Sequence, residues 1–314
     1  MIRPLHPIDM PSYMDFARRA CYSEAAAGCN GSPLSTHFLD VLGRSLALDA
    51  PAQTWIYTAG GEILGLMAVK RRRGTAIWEV ERLVGRDSPG ADSALESLLE
   101  HLSCLGGREG VHKIFLRLPL SSPLLPIARR AGFFAYSRET IYRLGNLPTA
   151  DGLELAPLRM RRSFDHQKLF QHYIRSVPAR VRQAEGLTLQ EWRWFDGWKP
   201  RRRWRFAFPR SRQDFVWERD DEMIAWLQID RGRRLLQGLL DEMQVSPEEA
   251  DSVLAFALSR LPASGPVFFP VREYQSMFEG VLKHHRFEYA GEYALLVRLL
   301  TVRVGERCLV PVGV

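Results

Sequence analysis

The chain has 314 residues, 46% of them apolar and 25% charged, which excludes a disordered polymer and leaves room for two cores of ordinary size. Its 43 Lys and Arg against 36 Asp and Glu give a net charge of +7, enough to permit an anionic partner without requiring one. No apolar run approaches the roughly 18 residues of a membrane span, the opening MIRPLHPIDM has no apolar signal region, and Cys21, Cys29, Cys104 and Cys308 form no C-x-x-C pair. The expectation is a cytoplasmic protein with no membrane association, no metal site and free, mostly buried thiols.

Residues 1–8 read as a first strand. Helical spacing follows through Tyr13, Phe16, Ala17 and Ala20, and again over 36–46 after a Gly/Ser break at 28–32. TWIYTAGGEILGLMAV, starting at Thr54, reads as two strands joined at Gly60 and Gly61, and the basic stretch KRRRG over 70–74 as a solvated turn. Over 77–99, IWEVERLVGRDSPGADSALESLL is a strand, a turn and a helix. Glu79 and Glu81 alternate with Trp78 and Val80, so both carboxylates lie on one strand face. Such a junction aims backbone N–H groups and the positive end of a helix dipole at whatever sits over the loop, which suits an anion. HKIFLRLPL (112–120) is another strand, SPLLPIARRAG a short helix, and FFAYSRETIYRL two strands around a polar turn.

The second half repeats this order. Ile2, Pro4 and Leu5 recur as Leu155, Pro157 and Leu158, and Phe134, Tyr136 and Glu139 as Phe287, Tyr289 and Glu292, all 153 residues on; Phe115 falls on Phe268. In the middle the offset becomes 160, matching Glu62 with Glu222, Glu81 with Asp241 and Leu83 with Met243. Two copies of one domain are expected, 1–147 and 148–314, with a Gly/Pro/Asp linker over 145–152. In the second copy Ser246, Pro247, Glu248 and Glu249 have the chemistry of a helix N-cap and first turn rather than of a phosphate cradle.

The element order, the strand-loop-helix over 79–99 and the closing ARRAGF (128–133) together resemble the GNAT superfamily of acyl-CoA-dependent N-acyltransferases, over nearly the whole chain as a tandem. The resemblance implies an α/β (α+β) fold of two GNAT-like domains, each a mixed, mostly antiparallel sheet flanked by helices. It implies that the fourth and fifth strands, IWEVERLVG and HKIFLRLPL, splay apart, with the pantetheine arm of acetyl-CoA or another acyl-CoA in the gap as a pseudo-strand. Glu79 or Glu81 would then be the general base toward a small amine substrate, and Val84, Arg86, Ser88, Gly90 and Ala91 the cofactor loop.

The sequence departs from that pattern. The family loop reads roughly Q/R-x-x-G-x-G/A, whereas Ser93 and Leu95 stand at the glycine positions and Gly90 at the basic one, with Arg86 and Gly90 a looser match. Asp87 and Asp92 add negative charge, the second copy has Glu248, Glu249 and Asp251 with no glycine, and Ala128 and Leu282 replace the tyrosine that often protonates the departing thiolate. These departures favour a non-catalytic binding or regulatory module without cofactor over an N-acyltransferase acting through the first slot.

Outside the junctions, Lys199, Arg201, Arg202, Arg203, Arg205, Arg210 and Arg212 interleave with Trp192, Trp194, Trp198 and Trp204. Arginine stems over tryptophan on an interdomain surface, an unknown protein partner held at Arg201, Arg202, Arg203, Trp204 and Arg205, and, less favoured, single-stranded nucleic acid are all served by this chemistry. His284 and His285 read as structural. There is no G-x-S-x-G, Walker loop, H-E-x-x-H or G-x-G-x-x-G, which disfavours hydrolase, NTPase, zincin and Rossmann functions.

Overall fold

Gly60 and Gly61, at φ 58 and 82, make the two-residue turn between β2 (Ala52–Ala59) and β3 (Glu62–Arg71). Both central residues of such a hairpin need positive φ. The second half closes the same hairpin with Asp220 and Asp221, at φ 50 and 64, between β8 (Arg212–Arg219) and β9 (Glu222–Asp230). Aspartate is among the few residues with a side chain that accept this region readily. Each hairpin has a register shift at the matching place, Tyr57/Thr58 and Trp217/Glu218, so the 160-residue offset holds here.

The structure, a computed structural model, describes residues 1–19, 52–71, 76–86, 88–146, 156–186, 212–262 and 265–301. They form two units. Among the described residues the first draws on 1–134 and 296–301, the second on 135–295.

In the first unit β1 (Ile2–Pro4) leads through a 3-10 turn at Pro7–Asp9 into α1 (Met10–Arg19); β2, β3, β4 (Ile77–Gly85), α2 (Ala91–Arg108), β5 (Lys113–Pro119) and α3 (Leu124–Arg130) follow. The strands lie in the order β1-β2-β3-β4-β5, antiparallel except for β4 with β5. Ala91, Ala94, Leu95, Leu98, Leu99 and Leu102 form one buried stripe of α2, at about 1.5–3 kcal/mol for each leucine removed from water. The helix comes close enough to β3 that a Cβ on Gly65 would stand 3.2 Å from the Leu98 Cδ1.

The second unit contains β6 (Phe134–Leu144), β7 (Arg159–Met160), a 3-10 turn at Ser163–Asp165, α4 (His166–Ser176), α5 (Ala179–Glu185), β8, β9, β10 (Leu235–Leu240), α6 (Pro247–Ser259), β11 (Val267–Arg272), α7 (Ser276–His284) and β12 (Glu288–Leu299). Its strand order is β12-β6-β11-β10-β9-β8-β7. Each half of the chain thus gives closing residues to the other unit. β6 runs antiparallel to β11 from Leu144↔Val267 to Glu139↔Arg272, while the Leu300 N–H donates to the His112 carbonyl in the first unit at 2.9 Å.

The structure corrects several local expectations. FFAYSRETIYRL is not two strands around a turn: Phe134–Leu144 is one strand, because Ser137 and Glu139 of its polar middle are buried and Glu139 meets Arg272 across the β6–β11 pair. The first strand covers only Ile2–Pro4, since Asp9 turns the chain by accepting from the His6 N–H at 2.9 Å. Asp9 also takes Arg3 in a two-pronged ion pair at 2.7 and 2.5 Å. Asp165 does the same, taking the Arg162 N–H at 2.6 Å and Arg159 at 2.7 and 2.9 Å. This repeated clamp sets the opening offset at 156 rather than 153. At the other end Gly132 and Arg286, both at positive φ, precede Phe133 and Phe287, whose N–H groups bond Ala128 and Leu282; that offset is 154. Cys104 is exposed rather than buried, and the other three cysteines, the 36–46 helix and most of the 145–152 linker lie outside the described residues.

Candidate functional site

β4 and β5 pair from Ile77↔Lys113 to Val80↔Leu116 and then part, while β4 continues beside β3 to Gly85. The expected splay of the fourth and fifth strands is therefore present in the first unit. Glu81 is the extra residue of a bulge, skipped between the pairs Val69↔Val80 and Ala68↔Arg82. Glu79 lies opposite Lys70, and the Lys70 ammonium is 3.4 Å from the Glu81 carboxylate. The half-buried Glu79 and Glu81 thus lie on either side of Val80 at the bulge, with Lys70 paired to Glu81.

The five loop residues divide. Val84 packs in the core with Leu5, Tyr13 and Ile56, and the Ala91 methyl is buried at the start of α2. Arg86 is buried with its guanidinium bound to Glu62 and its N–H donated to the Leu64 carbonyl at 2.9 Å. The Ser88 N–H donates to the Arg86 carbonyl at 2.9 Å, but its Oγ is buried with no hydrogen-bond partner among the described residues. Gly90 holds φ 90, and no described atom lies within 4 Å of where its Cβ would stand. Ser88 and Gly90 are the two positions where this loop is not filled by its own groups. Beyond β5, the Ser122 Oγ accepts from the Leu124 N–H at 3.2 Å and Ala128 is fully buried, so this region serves as cap and core.

In the second unit the corresponding strands, β10 and β11, pair only at Leu235↔Phe268. Their gap is spanned by Gln275, whose Nε2 donates to the Gly238 carbonyl at 2.6 Å and whose Oε1 accepts from the Arg272 N–H at 2.8 Å. The Phe278 ring lies against Gly238, where a Cβ would come within 2.5 Å of its Cζ. The helix start is closed as expected: the Ser246 Oγ accepts from the Glu249 N–H at 3.3 Å, and the Glu249 carboxylate accepts from the Ser246 N–H at 2.9 Å.

Register corrects two matches. Gly65↔Gly85 in the first unit answers Ala225↔Leu240 in the second, which places Leu235 at the position of Glu79, sets Leu83 against Gly238 rather than Met243, and leaves Glu81 without a counterpart. Asp241 instead follows the strand, where Arg86 stands in the first unit; each donates its N–H to the equivalent carbonyl, Ile224 and Leu64. The second unit therefore has no carboxylate on this strand.

What it has instead is a cavity of about 290 Å³ among β8, β9, β10, β11, α4 and the end of α5. Arg272 stands at its centre. Its Nε is 3.2 Å from Glu139, its Nη1 is 4.0 Å from Glu185, and Nη1 is buried with no hydrogen-bond partner among the described residues. Burial works against the Arg272 charge, but Glu139, Tyr136 and Glu185 outweigh it and hold the guanidinium above its ordinary value. The Tyr173 hydroxyl donates to Glu185 at 2.6 Å; burial first and this carboxylate second push its ionisation up, and burial does the same to Tyr274. Asp214 accepts from Gln228 Nε2 at 2.5 Å, and the Trp226 Nε1 is a second buried donor without a partner among the described residues. Behind this wall His172 is fully buried, its Nε2–H donating to the Leu239 carbonyl at 3.1 Å, and burial pushes its pKa down to about 4.

None of this cluster was singled out from sequence. The available signal was Glu139 inside an otherwise strand-like run. Arg201, Arg202, Arg203, Trp204 and Arg205 lie outside the described residues. His285 holds α7 to α6 through Asp251 at 2.8 Å, a structural role. No helix among the described residues is long and apolar enough to cross a membrane.

No protein-family model matches the chain, and no curated protein matches its sequence. Solved structures do match. A GCN5-related N-acetyltransferase from Sphaerobacter thermophilus is 13% identical with a TM-score of 0.57, the match covering 95% of each chain. A tandem GNAT protein from the clavulanic acid biosynthesis pathway is 15% identical with a TM-score of 0.52, over 95% of this chain and 98% of that one. A GCN5-related N-acetyltransferase from Anabaena variabilis is 9% identical with a TM-score of 0.50, over 96% of this chain and 73% of that one. At these identities the likeness is one of fold: two GNAT-like units in tandem, with mixed, mostly antiparallel sheets flanked by helices.

Proposed function

From a tandem GNAT fold, we propose that the chain is a cytoplasmic binding module that has given up acyl transfer. The observation that carries this reading is that the chain's own groups engage the loop arginine of the first unit and the strand gap of the second. Glu62 takes the Arg86 guanidinium in the first unit, and Gln275 takes the Gly238 carbonyl in the second. An arginine already neutralised by a carboxylate offers a polyanion little, and Glu248 and Glu249 at the start of α6 repel one. The test is thermal unfolding with millimolar acetyl-CoA and a longer acyl-CoA. No shift is expected; stabilisation approaching about 2.7 kcal/mol, the value for ligand at about 100 times its dissociation constant, overturns the reading.

A second reading draws on Ser88 and Gly90. An orphaned buried hydroxyl and a left-handed glycine with space beside it, next to splayed strands, favour an acyl-CoA held by the first unit. Ser88, Gly90 and the first turn of α2 would hold the cofactor, which would supply the acyl thioester, and Glu79 or Glu81 would take the proton of an amine. Thiol release from acetyl-CoA with an amine panel, lost in Glu79→Gln or Glu81→Gln, would establish it. Under the binding reading, Arg201, Arg202, Arg203, Trp204 and Arg205 are the proposed surface for an acidic protein partner. Reversing those charges should weaken capture of that partner, and unchanged capture removes the segment from the proposal.

A further inference from the structure

The geometry points to the cavity of the second unit as a binding site for a small organic acid, one carboxylate on a compact apolar body. This rests on the binding-module reading and names its ligand class.

The charged groups of the wall are three arginines, Arg161, Arg212 and Arg272, and three acids, Glu139, Glu185 and Asp214, so the wall has no net charge to spare. The acids are all engaged within it: Glu139 by Arg272, Glu185 by Tyr173, Asp214 by Gln228. Two donors are not. Arg272 Nη1 and Trp226 Nε1 are both buried without a hydrogen-bond partner among the described residues, and both side chains line the cavity. Unpaired buried donors are destabilising, and a ligand that brings acceptor oxygens relieves them. The Arg272 nitrogen, 4.0 Å from Glu185 and making no hydrogen bond among the described residues, belongs to a guanidinium, whose planar edge matches the two oxygens of a carboxylate. A phosphate dianion would set its second charge against Glu139 and Glu185. Leu169, Val177, Leu239, Pro270 and the Trp226 ring give the wall an apolar part beside its glutamines and tyrosines, and 290 Å³ admits one compact molecule.

The probes are phenylacetate and indole-3-acetate, their neutral amides, and phenyl phosphate, titrated into the full-length chain by calorimetry. Saturable one-to-one binding of at least one acid is expected, about tenfold tighter than its amide because the amide lacks the charge that Arg272 reads. Arg272→Met leaves the buried Glu139 and the half-buried Glu185 without their cation and can fail to fold, so Trp226→Phe is the decisive variant. It keeps a smaller aromatic ring in the wall and removes the donor, and should weaken the acid about threefold or more in a variant that still unfolds cooperatively. No saturation by about 10 mM of either acid, equal affinity for the amide, tighter binding of phenyl phosphate, or full affinity in Trp226→Phe overturns the assignment. Acetyl-CoA is titrated in a separate arm. Binding or turnover there defeats the module reading while leaving the carboxylate result to stand or fall alone.

Discussion

The two strand-loop-helix junctions occupy the same place in the same fold and have been resolved in opposite ways. In the first, β4 has nine residues with the Glu81 bulge, and the loop leaves the Ser88 hydroxyl without a hydrogen-bond partner and space beside Gly90 among the described residues. In the second, β10 has six residues, Leu235 stands in place of Glu79, and the helix start and strand gap are closed by Glu249 and Gln275. The scaffold around them is shared: hairpins offset by 160 with matching bulges, and Arg–Asp clamps offset by 156. The junctions thus differ in the residues that would touch a ligand while hairpins and clamps around them are kept, and fold alone says little about activity.

The largest effect tests whether the second gap is truly a packed element. Phe278 is buried against Phe269, with ring centroids 4.8 Å apart, and against Gly238. Phe278→Ala should cost about 3–5 kcal/mol in denaturant unfolding. Gly238→Ala pushes a methyl into the same ring and should cost about 1–3 kcal/mol. In the first unit Gly65→Ala meets only the ends of the Leu95 and Leu98 side chains, at 3.3 and 3.2 Å, and should cost less. If Gly65→Ala proves the more damaging, the contrast between an open and a filled gap is wrong.

Acid separates the units next. His172 occupies in α4 the place Phe16 occupies in α1, at the clamp's offset of 156. Its folded pKa of about 4 lies below the ordinary 6.5, so the unfolded chain binds the extra proton between those values. The stability it contributes is therefore full above pH 6.5 and lost as pH falls toward 4, at up to about 1.4 kcal/mol per unit and about 3 kcal/mol in all. Urea midpoints across that window should fall steeply in the parent protein. His172→Phe, which adopts the first unit's solution, should flatten that part of the profile; an unchanged slope shows that other groups govern the acid limb.

Local chemistry made much of this legible. Gly60–Gly61, the leucine stripe of α2 and the Ser246–Glu249 cap act over a few residues, and each is found where its pattern puts it. The tandem could be read too, although its offsets came out wrong at the ends because chance identities at Pro157 and Leu158 outweighed the clamp at Arg159 and Asp165. The Arg272 cluster was not legible. Glu139 and Arg272 are far apart in sequence and meet only because β6 crosses into the second unit, and strand periodicity carries no information about a distant partner. Without Arg272 in view, Ser137–Glu139 has the composition of a turn.

The smallest effect bears on the first junction. An unpartnered buried hydroxyl contributes nothing to a folded protein in isolation, so Ser88→Ala should leave stability unchanged or raise it by up to about 1 kcal/mol. Gly90→Ala has space for its methyl but must hold φ 90, and should cost about 1 kcal/mol or somewhat more. If the junction only starts a helix, these two changes are all that thermal melts will record, with or without acetyl-CoA. If it holds an acyl-CoA, Ser88→Ala gains its stability only in the absence of ligand, and acetyl-CoA stabilises the variant less than the parent. A sign that reverses on adding ligand is the signature of a polar group kept for something outside the chain, and the two melts differ in nothing else.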